Sequence, residues 1–374
     1  MKIAMLGHKR VPSREGGVEI VVEELSTRMA AAGHEVTLYN RKGKNVSDKN
    51  ADLEAHKLKS YKGVRLVNVF TSEKRSLNAI LYSFNATWKA AFGKYDVIHF
   101  HAEGPCSMIP IAKLFGKRVV ATIHGLDWAR SKWGGFATKF LKFGEKMAAK
   151  HADEIIVLSK NVQNYFQETY GRDTHYIPNG VNLPDLREPD LITKEYGLKG
   201  DDYILFLARL VPEKGLHYLL NAYREIKTDK KLVVAGGASH SGEYVDEIKA
   251  LAARDERVIM TGFVQGQKLE ELFSNAYVYV LPSDLEGMPI SLLEALSYGK
   301  RCIVSDIDEN VEAAGAYAVP FKKSDEKDLK EKLEEILADG SMGETYDPES
   351  VRDYVSRNYN WDNVVEETLK LYRK

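Results

Sequence analysis

Two glutamates eight positions apart, Glu286 and Glu294, sit in the run Ser-Asp-Leu-Glu-Gly-Met-Pro-Ile-Ser-Leu-Leu-Glu-Ala-Leu-Ser-Tyr-Gly at 283–299. Paired carboxylates are the first groups to test for acid–base chemistry. Pro289 suits the first position of a helix and Gly299 its C-terminal end, so a helix is predicted from near Met288. Were both glutamates helical, they would lie about 12 Å apart along the axis. Glycoside hydrolases hold their two carboxyls roughly 5 Å apart, or under about 10 Å when a water sits between them. An acid/base pair therefore fits poorly, and two carboxylates reading separate parts of one long ligand fit better. The free N–H groups and positive dipole end of that helix suit a phosphate. Glu294 is flanked by Leu292, Leu293, Ala295 and Leu296, where a carboxylate is costly unless paired. The competing reading is a buried helix with an ordinary glutamate at its start and one satisfied glutamate inside.

Cations come next. In Phe-Leu-Ala-Arg-Leu-Val-Pro-Glu-Lys-Gly, a strand over 203–208 delivers Arg209 to a loop, and Lys214-Gly215 opens the following helix. Ligands of open α/β sheets bind at the carboxyl ends of strands, where two cations can neutralise a pyrophosphate; a solvated Arg/Lys loop is the plainer alternative. Gly16 and Gly17 lie where the first loop meets the first helix and permit close backbone approach, or simply a tight turn. His124 ends the strand at 118–125 and is followed by Gly125-Leu126-Asp127-Trp128; it is read either as a site residue or as a satisfied strand-end histidine, with Asp127 able to orient it. His99 and His101 share one face of a strand, but no third ligand has convincing spacing, so no metal is expected.

Positioning these residues requires a particular set of elements. Short apolar runs at 2–7, 35–39, 64–70, 96–100, 118–125 and 154–159 read as strands, and Val21, Leu25 and Met29 mark a helix closed by Gly33. Ile177-Pro178-Asn179-Gly180 then punctuates the chain, and the pattern restarts at 203–209, 231–237, 257–263, 276–282 and 301–306. Strands alternating with helical segments imply two α/β units with parallel sheets. A helical pattern from about Tyr354 to Lys374 closes the chain. Neither Gly-His-Lys-Arg-Val-Pro-Ser-Arg-Glu-Gly-Gly nor the later Ala-Gly-Gly-Ala-Ser-His-Ser-Gly fits the dinucleotide fingerprint, which disfavours hydride transfer.

Length and composition agree with this division. At 374 residues two domains are expected, and 44% hydrophobic with 29% charged residues is the balance of a water-soluble globular chain. A net charge of -1 gives no basic field for nucleic acid. Two distant cysteines, Cys106 and Cys302, offer no disulfide framework. The apolar opening Met1–Leu6 is too short for a secretory signal, and no run approaches the roughly 20 apolar residues of a membrane span. The expectation is a cytoplasmic chain, with contact at the inner membrane face through 132–150. There Phe136, Phe140, Phe143 and Met147 form one stripe beside Lys139, Lys142, Lys146 and Lys150. The same stripe could equally pack on the sheet.

The Glu286–Glu294 spacing within Ser-Asp-Leu-Glu-Gly-Met-Pro-Ile-Ser-Leu-Leu-Glu-Ala-Leu-Ser-Tyr-Gly-Lys-Arg-Cys-Ile-Val-Ser-Asp resembles the E-x7-E motif of the large group of retaining glycosyltransferases with the GT-B fold. That resemblance covers nearly the whole chain. It implies two facing Rossmann-like domains, at 1–180 for the acceptor and 184–354 for the nucleotide-sugar, with a helix at about 355–374 returning to the first and a donor cleft between them. It further implies that Glu286 contacts the donor sugar's hydroxyls and Glu294 the ribose. Gly287, Met288, Pro289, Ile290 and Ser291 would face sugar and phosphate; Gly262, Phe263 and Val264 would read the base. In such enzymes Arg209 and Lys214 stabilise the departing nucleotide, Gly16 and Gly17 approach the donor, and His124 reaches the transferred sugar. Ser159 and Asn179-Gly180 match recurring family positions for which structural roles suffice. Asp306-Ile307-Asp308 formally matches the metal motif of the other main glycosyltransferase fold and is read as an acidic turn. No cofactor is implied. The opening His-Lys-Arg-Val-Pro-Ser-Arg-Glu-Gly-Gly-Val-Glu is similar to bacterial surface-polysaccharide transferases, including rhamnosyl- and hexosyltransferases. The donor is expected to be a UDP-sugar ahead of dTDP-rhamnose or GDP-mannose, and the acceptor a saccharide or lipid-linked saccharide. An epimerase of the same fold and a non-catalytic sugar-nucleotide binder are the rival readings.

Overall fold

The computed structural model describes residues 1–14, 16–43, 57–129, 135–237, 242–338 and 346–373. The chain divides into two units, one of Met1–Gly180 with Trp361–Lys374 and the other of Val181–Asn360.

In the first unit, β1 (Lys2–Leu6) feeds α1 (Gly17–Ala31), which ends before Gly33 and returns to β2 (Glu35–Lys42). A tight hairpin then joins β3 (Ser60–Tyr61) to β4 (Val64–Phe70), followed by α2 (Arg75–Phe92) and β5 (Val97–His101). Two short helices, α3 (Glu103–Cys106) and α4 (Ile109–Leu114), precede β6 (Arg118–Ile123) and α5 (Gly135–His151). The unit's main segment closes with β7 (Glu154–Val157), α6 (Lys160–Tyr170) and β8 (His175–Tyr176).

These strands form one sheet in the order β3-β4-β2-β1-β5-β6-β7-β8. Its central strands are inaccessible on both faces, β5 along its whole length, as crossover helices require of a parallel sheet. The sheet is not wholly parallel: β3 runs antiparallel to β4. Lys62 and Gly63 between them have φ of 43° and 81°, the conformation of a two-residue hairpin turn.

The second unit begins with α7 (Leu191–Tyr196), then β9 (Tyr203–Leu207), α8 (Leu216–Arg224) and β10 (Lys231–Ala235). It continues through α9 (Gly242–Ala252), β11 (Val258–Gly262), α10 (Gln267–Ser274) and β12 (Val278–Leu281) to α11 (Ile290–Ser297). Then come β13 (Cys302–Ser305), α12 (Asp308–Ala314), β14 (Ala318–Phe321), α13 (Glu326–Ala338) and α14 (Pro348–Asn358). All six strands are parallel, in the order β11-β10-β9-β12-β13-β14. β14 escapes the sequence reading because Pro320 interrupts its apolar run, which an edge strand tolerates and a central one does not.

The closing segment, expected as one helix from about Tyr354, is two. Asp347 accepts hydrogen bonds from the Glu349 and Ser350 N–H groups and starts α14, with Pro348 at its first turn. The chain breaks at Tyr359-Asn360, and α15 (Trp361–Arg373) packs on α1 in the first unit. Among the described residues no helix is long and apolar enough to cross a membrane.

α15 is fastened to the sheet by a buried polar contact. His99 in β5 shares hydrogen bonds with Tyr372 Oη at 2.6 Å and Thr122 Oγ1 at 2.7 Å. Burial, reinforced by His124, pushes the His99 pKa from 6.5 down to about 3. Burial likewise takes His8, bonded to Asn40 Oδ1 at 2.9 Å, down to about 4. Both rings are neutral when folded and bind a proton more readily when unfolded. The stability they contribute is thus complete above about pH 6.5 and is lost as pH falls toward these values. We expect the thermal transition of the first unit to fall steeply between pH 6.5 and pH 4, and less steeply in His99→Gln. Equal slopes for the two proteins would remove His99 as a source.

Candidate functional site

In the second sheet, the strand order turns between β9 and β12, which pair in parallel through Val278 with Ile204 and Tyr279 with Leu205. The loops leaving neighbouring strands at such a switch point diverge to opposite faces and open a crevice at their carboxyl ends. The loop after β9 carries Arg209 and Lys214; the loop after β12 carries Ser283 and Glu286. Gly215 presses the two together. Its φ is 66°, and a Cβ there would stand 1.9 Å from the Pro282 carbonyl oxygen, so only glycine allows this approach.

The outcome is an ion pair. Lys214 Nζ lies 2.5 Å from Glu286 Oε1, and Ser283 Oγ donates to the same oxygen at 2.6 Å. The two charged side chains are only 14% and 7% exposed, so both are largely withdrawn from water. A further main-chain bond ties the loops, from Asp284 N–H to the Glu213 carbonyl at 2.9 Å. Asp284 in turn accepts from Tyr218 at 3.1 Å and from Ser324 at 2.7 Å.

The helix expected from Met288 begins at Ile290 instead. Pro289 is its cap, with φ -81° and ψ 87°, leaving Gly287 and Met288 in the loop, so Glu286 and Glu294 do not belong to one helix. Glu294 lies in the second turn of α11, half-buried, and Ser291 in the first. The buried Tyr279 hydroxyl stands 2.8 Å from Ser291 Oγ and 3.2 Å from the Leu207 carbonyl, which locks α11 to the ends of β9 and β12. Met288 packs against the core. Lys214 ends a short 3-10 turn, Pro212–Lys214, and α8 starts only after Gly215. Gly262 ends β11 with φ 72°; Phe263 is half exposed and Val264 rests on the core. Asp306 accepts from the Lys323 N–H at 2.8 Å and Asp308 opens α12, as befits an acidic turn.

In the first unit the strand order turns between β1 and β5. The loop after β1 is strapped down: Gly7 N–H donates to Tyr82 Oη at 2.9 Å, Val11 N–H to Asn40 Oδ1 at 3.1 Å, and Lys9 N–H to Glu19 Oε1 at 2.8 Å. Gly16 caps α1 and Gly17 is its first residue; a Cβ on Gly16 would meet the Glu19 carboxylate at 2.4 Å. His124, half-buried after β6, has Nε2 3.1 Å from His101 Nδ1, so one ring donates to the other. The rings of His99 and His101 lie 4.1 Å apart, and the hydrogen bonds of both go to protein groups. Among the described residues no cluster of three such groups could hold a metal ion. Asp127 opens a short turn anchored by Trp128, whose indole N–H donates to Glu145 at 2.9 Å. Ser159 caps α6 by accepting from the Val162 N–H, and a Cβ on Gly180 would run into the Trp361 ring.

Several contributors escape sequence reasoning. Ser283 carries a signal, standing three residues before Glu286 at a strand end. Tyr279, Tyr82 and Asn40 carry none, since each looks like an ordinary strand or helix residue. Nor does Glu103, whose carboxyl is pushed up to about 10 by burial and then by the charges of Asp127 and Glu145. It is a neutral acid buried near Asp127.

Comparison with known proteins identifies the class. Residues 190–356 match the family Glycosyl transferases group 1, and residues 15–184 match Glycosyltransferase Family 4. An uncharacterized glycosyltransferase of Methanocaldococcus jannaschii is 25% identical over 408 residues, spanning 100% of this chain and 98% of that protein. An Escherichia coli UDP-Gal:alpha-D-GlcNAc-diphosphoundecaprenol alpha-1,3-galactosyltransferase is 31% identical over 236 residues, 58% of this chain and 59% of that protein. Among solved structures, Anabaena HepE in complex with UDP and glucose superposes with a TM-score of 0.80 at 18% identity, over 99% of this chain and 98% of that one. The chain belongs to these families: it is a glycosyltransferase with the GT-B fold.

Removing one partner of a desolvated charge contact costs roughly 2–5 kcal/mol, and each 1.36 kcal/mol is about tenfold in rate. Glu286→Ala, Lys214→Ala and Arg209→Ala should each reduce transfer by about 30-fold or more while the circular-dichroism spectrum is unchanged. Near-normal turnover in both cation variants would exclude them from the site.

Proposed function

We propose that this enzyme transfers a sugar with retention of configuration from a nucleoside-diphosphate sugar, with a UDP-sugar favoured, to a saccharide or lipid-linked saccharide acceptor in surface polysaccharide synthesis. The observation that carries the reading is the Lys214–Glu286–Ser283 group beside the start of α11. A sugar diphosphate presents hydroxyls that can donate to Glu286 and phosphate oxygens that can accept from Lys214, Arg209 and the N–H groups of Ile290 and Ser291. Glu294 takes the ribose, and Gly262, Phe263 and Val264 the base. In the first unit Gly16 and Gly17 approach the donor and His124 holds the transferred sugar.

The reaction follows a same-face course. The bond from the anomeric carbon to the phosphate oxygen breaks while the acceptor oxygen bonds to that carbon on the same face. The acceptor's proton passes to the leaving phosphate, whose charge Arg209 and Lys214 stabilise. With cations and a helix terminus in these roles, no divalent metal takes part. The UDP in the HepE complex and the UDP-Gal in the galactosyltransferase's name support the choice of nucleotide. The diphosphoundecaprenol in that same name supports a lipid-linked acceptor.

A panel of nucleotide sugars, assayed for hydrolysis and transfer in EDTA with NMR of the product, tests all of this. A UDP-sugar should be consumed, and the product should keep the donor's anomeric configuration. An inverted product, or activity restored only by magnesium or manganese, would overturn the mechanism. Donor turnover to an isomer without acceptor would instead mark an epimerase, and donor binding without turnover a non-catalytic binder.

A lipid-linked acceptor places the enzyme at the cytoplasmic membrane face, and α5 supplies the contact. Residues 132–134 of the segment lie outside the described residues. Along the helix itself, Leu141, Gly144, Glu145, Ala148 and Ala149 are buried, whereas Phe136, Phe143, Lys139, Lys142, Lys146 and Lys150 are exposed. Of the expected stripe, Phe136 and Phe143 are exposed and Phe140 and Met147 are half-buried. Each lysine near an anionic leaflet contributes about 1 kcal/mol. Co-sedimentation with phosphatidylglycerol vesicles should fade with salt and with the four lysines changed to Glu; indifference to both would remove α5 from the contact.

A further inference from the structure

The outer face of α2 and the end of α4 carry an aromatic cluster that neither the core nor the sugar chemistry uses. On α2, Tyr82, Ala86 and Ala90 face the sheet and are fully buried, while Leu77, Phe84, Trp88 and Phe92 stand out on the opposite side. Phe92 is 62% exposed, and Leu114, at the end of α4, is 85% exposed. The rings touch one another. Trp88 lies 6.0 Å from Phe84, 5.2 Å from Phe92 and 5.8 Å from Phe115 between centroids, and Phe92 lies 4.6 Å from Phe115. Single exposed apolar residues are common in water-facing surfaces, but a contiguous aromatic patch marks an interaction site.

Charge selects the partner. No Asp or Glu occurs between Lys74 and Tyr95, with Glu73 and Asp96 just outside, or between Gly104 and Leu126, whereas Lys89 and Lys94 stand exposed at the end of α2 that carries Trp88 and Phe92. A symmetric pairing of two such faces would set lysines against lysines. An anionic bilayer offers the opposite sign at its surface and an apolar layer just beneath it, where Trp and Phe settle. The placement is also continuous with α5: α4 packs against both α2 and α5, and all three cover the same face of the sheet through one shared core. Their outward sides belong to one helical layer.

We propose that the α2–α4 aromatic face is a second membrane contact, in which Trp88, Phe92 and Phe115 enter the headgroup region of an anionic bilayer while α5 holds it by charge. This rests on the membrane reading above and adds a larger apolar anchor to the Phe136 and Phe143 that α5 exposes.

The experiment compares the full chain, W88S/F92S/F115S and the α5 lysine-to-Glu variant in co-sedimentation with vesicles of phosphatidylglycerol and phosphatidylcholine. We expect the aromatic variant to partition at least tenfold more weakly with an unchanged thermal transition. Quenching by brominated lipid should fall when Trp88→Phe removes the indole. If the full chain binds and the aromatic variant binds equally, this inference fails and the α5 contact stands. If the full chain binds no anionic vesicle at low salt, both fail. A concentration-dependent dimer in sedimentation, abolished by W88S/F92S/F115S while vesicle binding persists, would assign the face to a second copy instead and overturn the proposal.

Discussion

Lys214 reaches Glu286 because two loops run backbone against backbone where the second sheet reverses its strand order. Gly215 leaves no room for a side chain against the Pro282 carbonyl, and the Asp284 N–H bond to the Glu213 carbonyl sews the same two loops together. A charge pair so withdrawn from water is costly to assemble and costlier to break. Ser283 offsets part of that cost by donating to the shared carboxylate oxygen. The arrangement also has a chemical consequence. Under the proposed function, a sugar diphosphate has acceptors for the cation and donors for the carboxylate.

Tyr279 extends this constraint into the core. Its hydroxyl sits between the end of β9 and the first turn of α11, so the helix terminus cannot drift without breaking a buried polar contact. Glu294 rides on that helix one turn further on. The positions of both glutamates therefore trace to one feature, the switch point between β9 and β12, though one is held by a loop and the other by a helix.

Most of the strand framework was legible because central parallel strands are apolar on both faces and end abruptly in polar loops. What the sequence hid is physically specific. β3 and β8 are two residues long, too short for any periodicity, and β14 carries a proline that only its edge position excuses. Pro289 signalled a helix start but stands one position before it, since Gly287 and Met288 follow the loop and not the helix. Glu286 could be singled out by its spacing to Glu294, and Arg209 and Lys214 by their place in the loop after an apolar strand, their roles being implied by the family resemblance. Tyr279, Asn40 and Glu103 could not, because their roles depend on which distant backbone or carboxylate group lies beside them.

The amphipathic pattern of α5 is the most instructive ambiguity. Periodicity alone could not say whether the Phe136–Phe140–Phe143 stripe packed inward, because an inward stripe and an outward one have the same period. Packing decides it. Gly144 meets α3 so closely that a Cβ would stand 2.0 Å from the Glu103 carbonyl oxygen, and Ala148 and Ala149 complete a contact made of small residues. Leu141 and Glu145 are buried on the same side, Phe140 is half-buried, and Phe136 and Phe143 are carried outward. The same logic holds for α2, where Ala86 and Ala90 occupy the sheet side and Trp88 and Phe92 the other. Both helices thus seat small residues inward and expose aromatic ones, although α2 also buries Tyr82. For a surface meant to face only water this inverts the usual economy of apolar area. A net charge of -1 conceals it, because no acidic residue occurs between Lys74 and Tyr95 and the one in α5, Glu145, is buried.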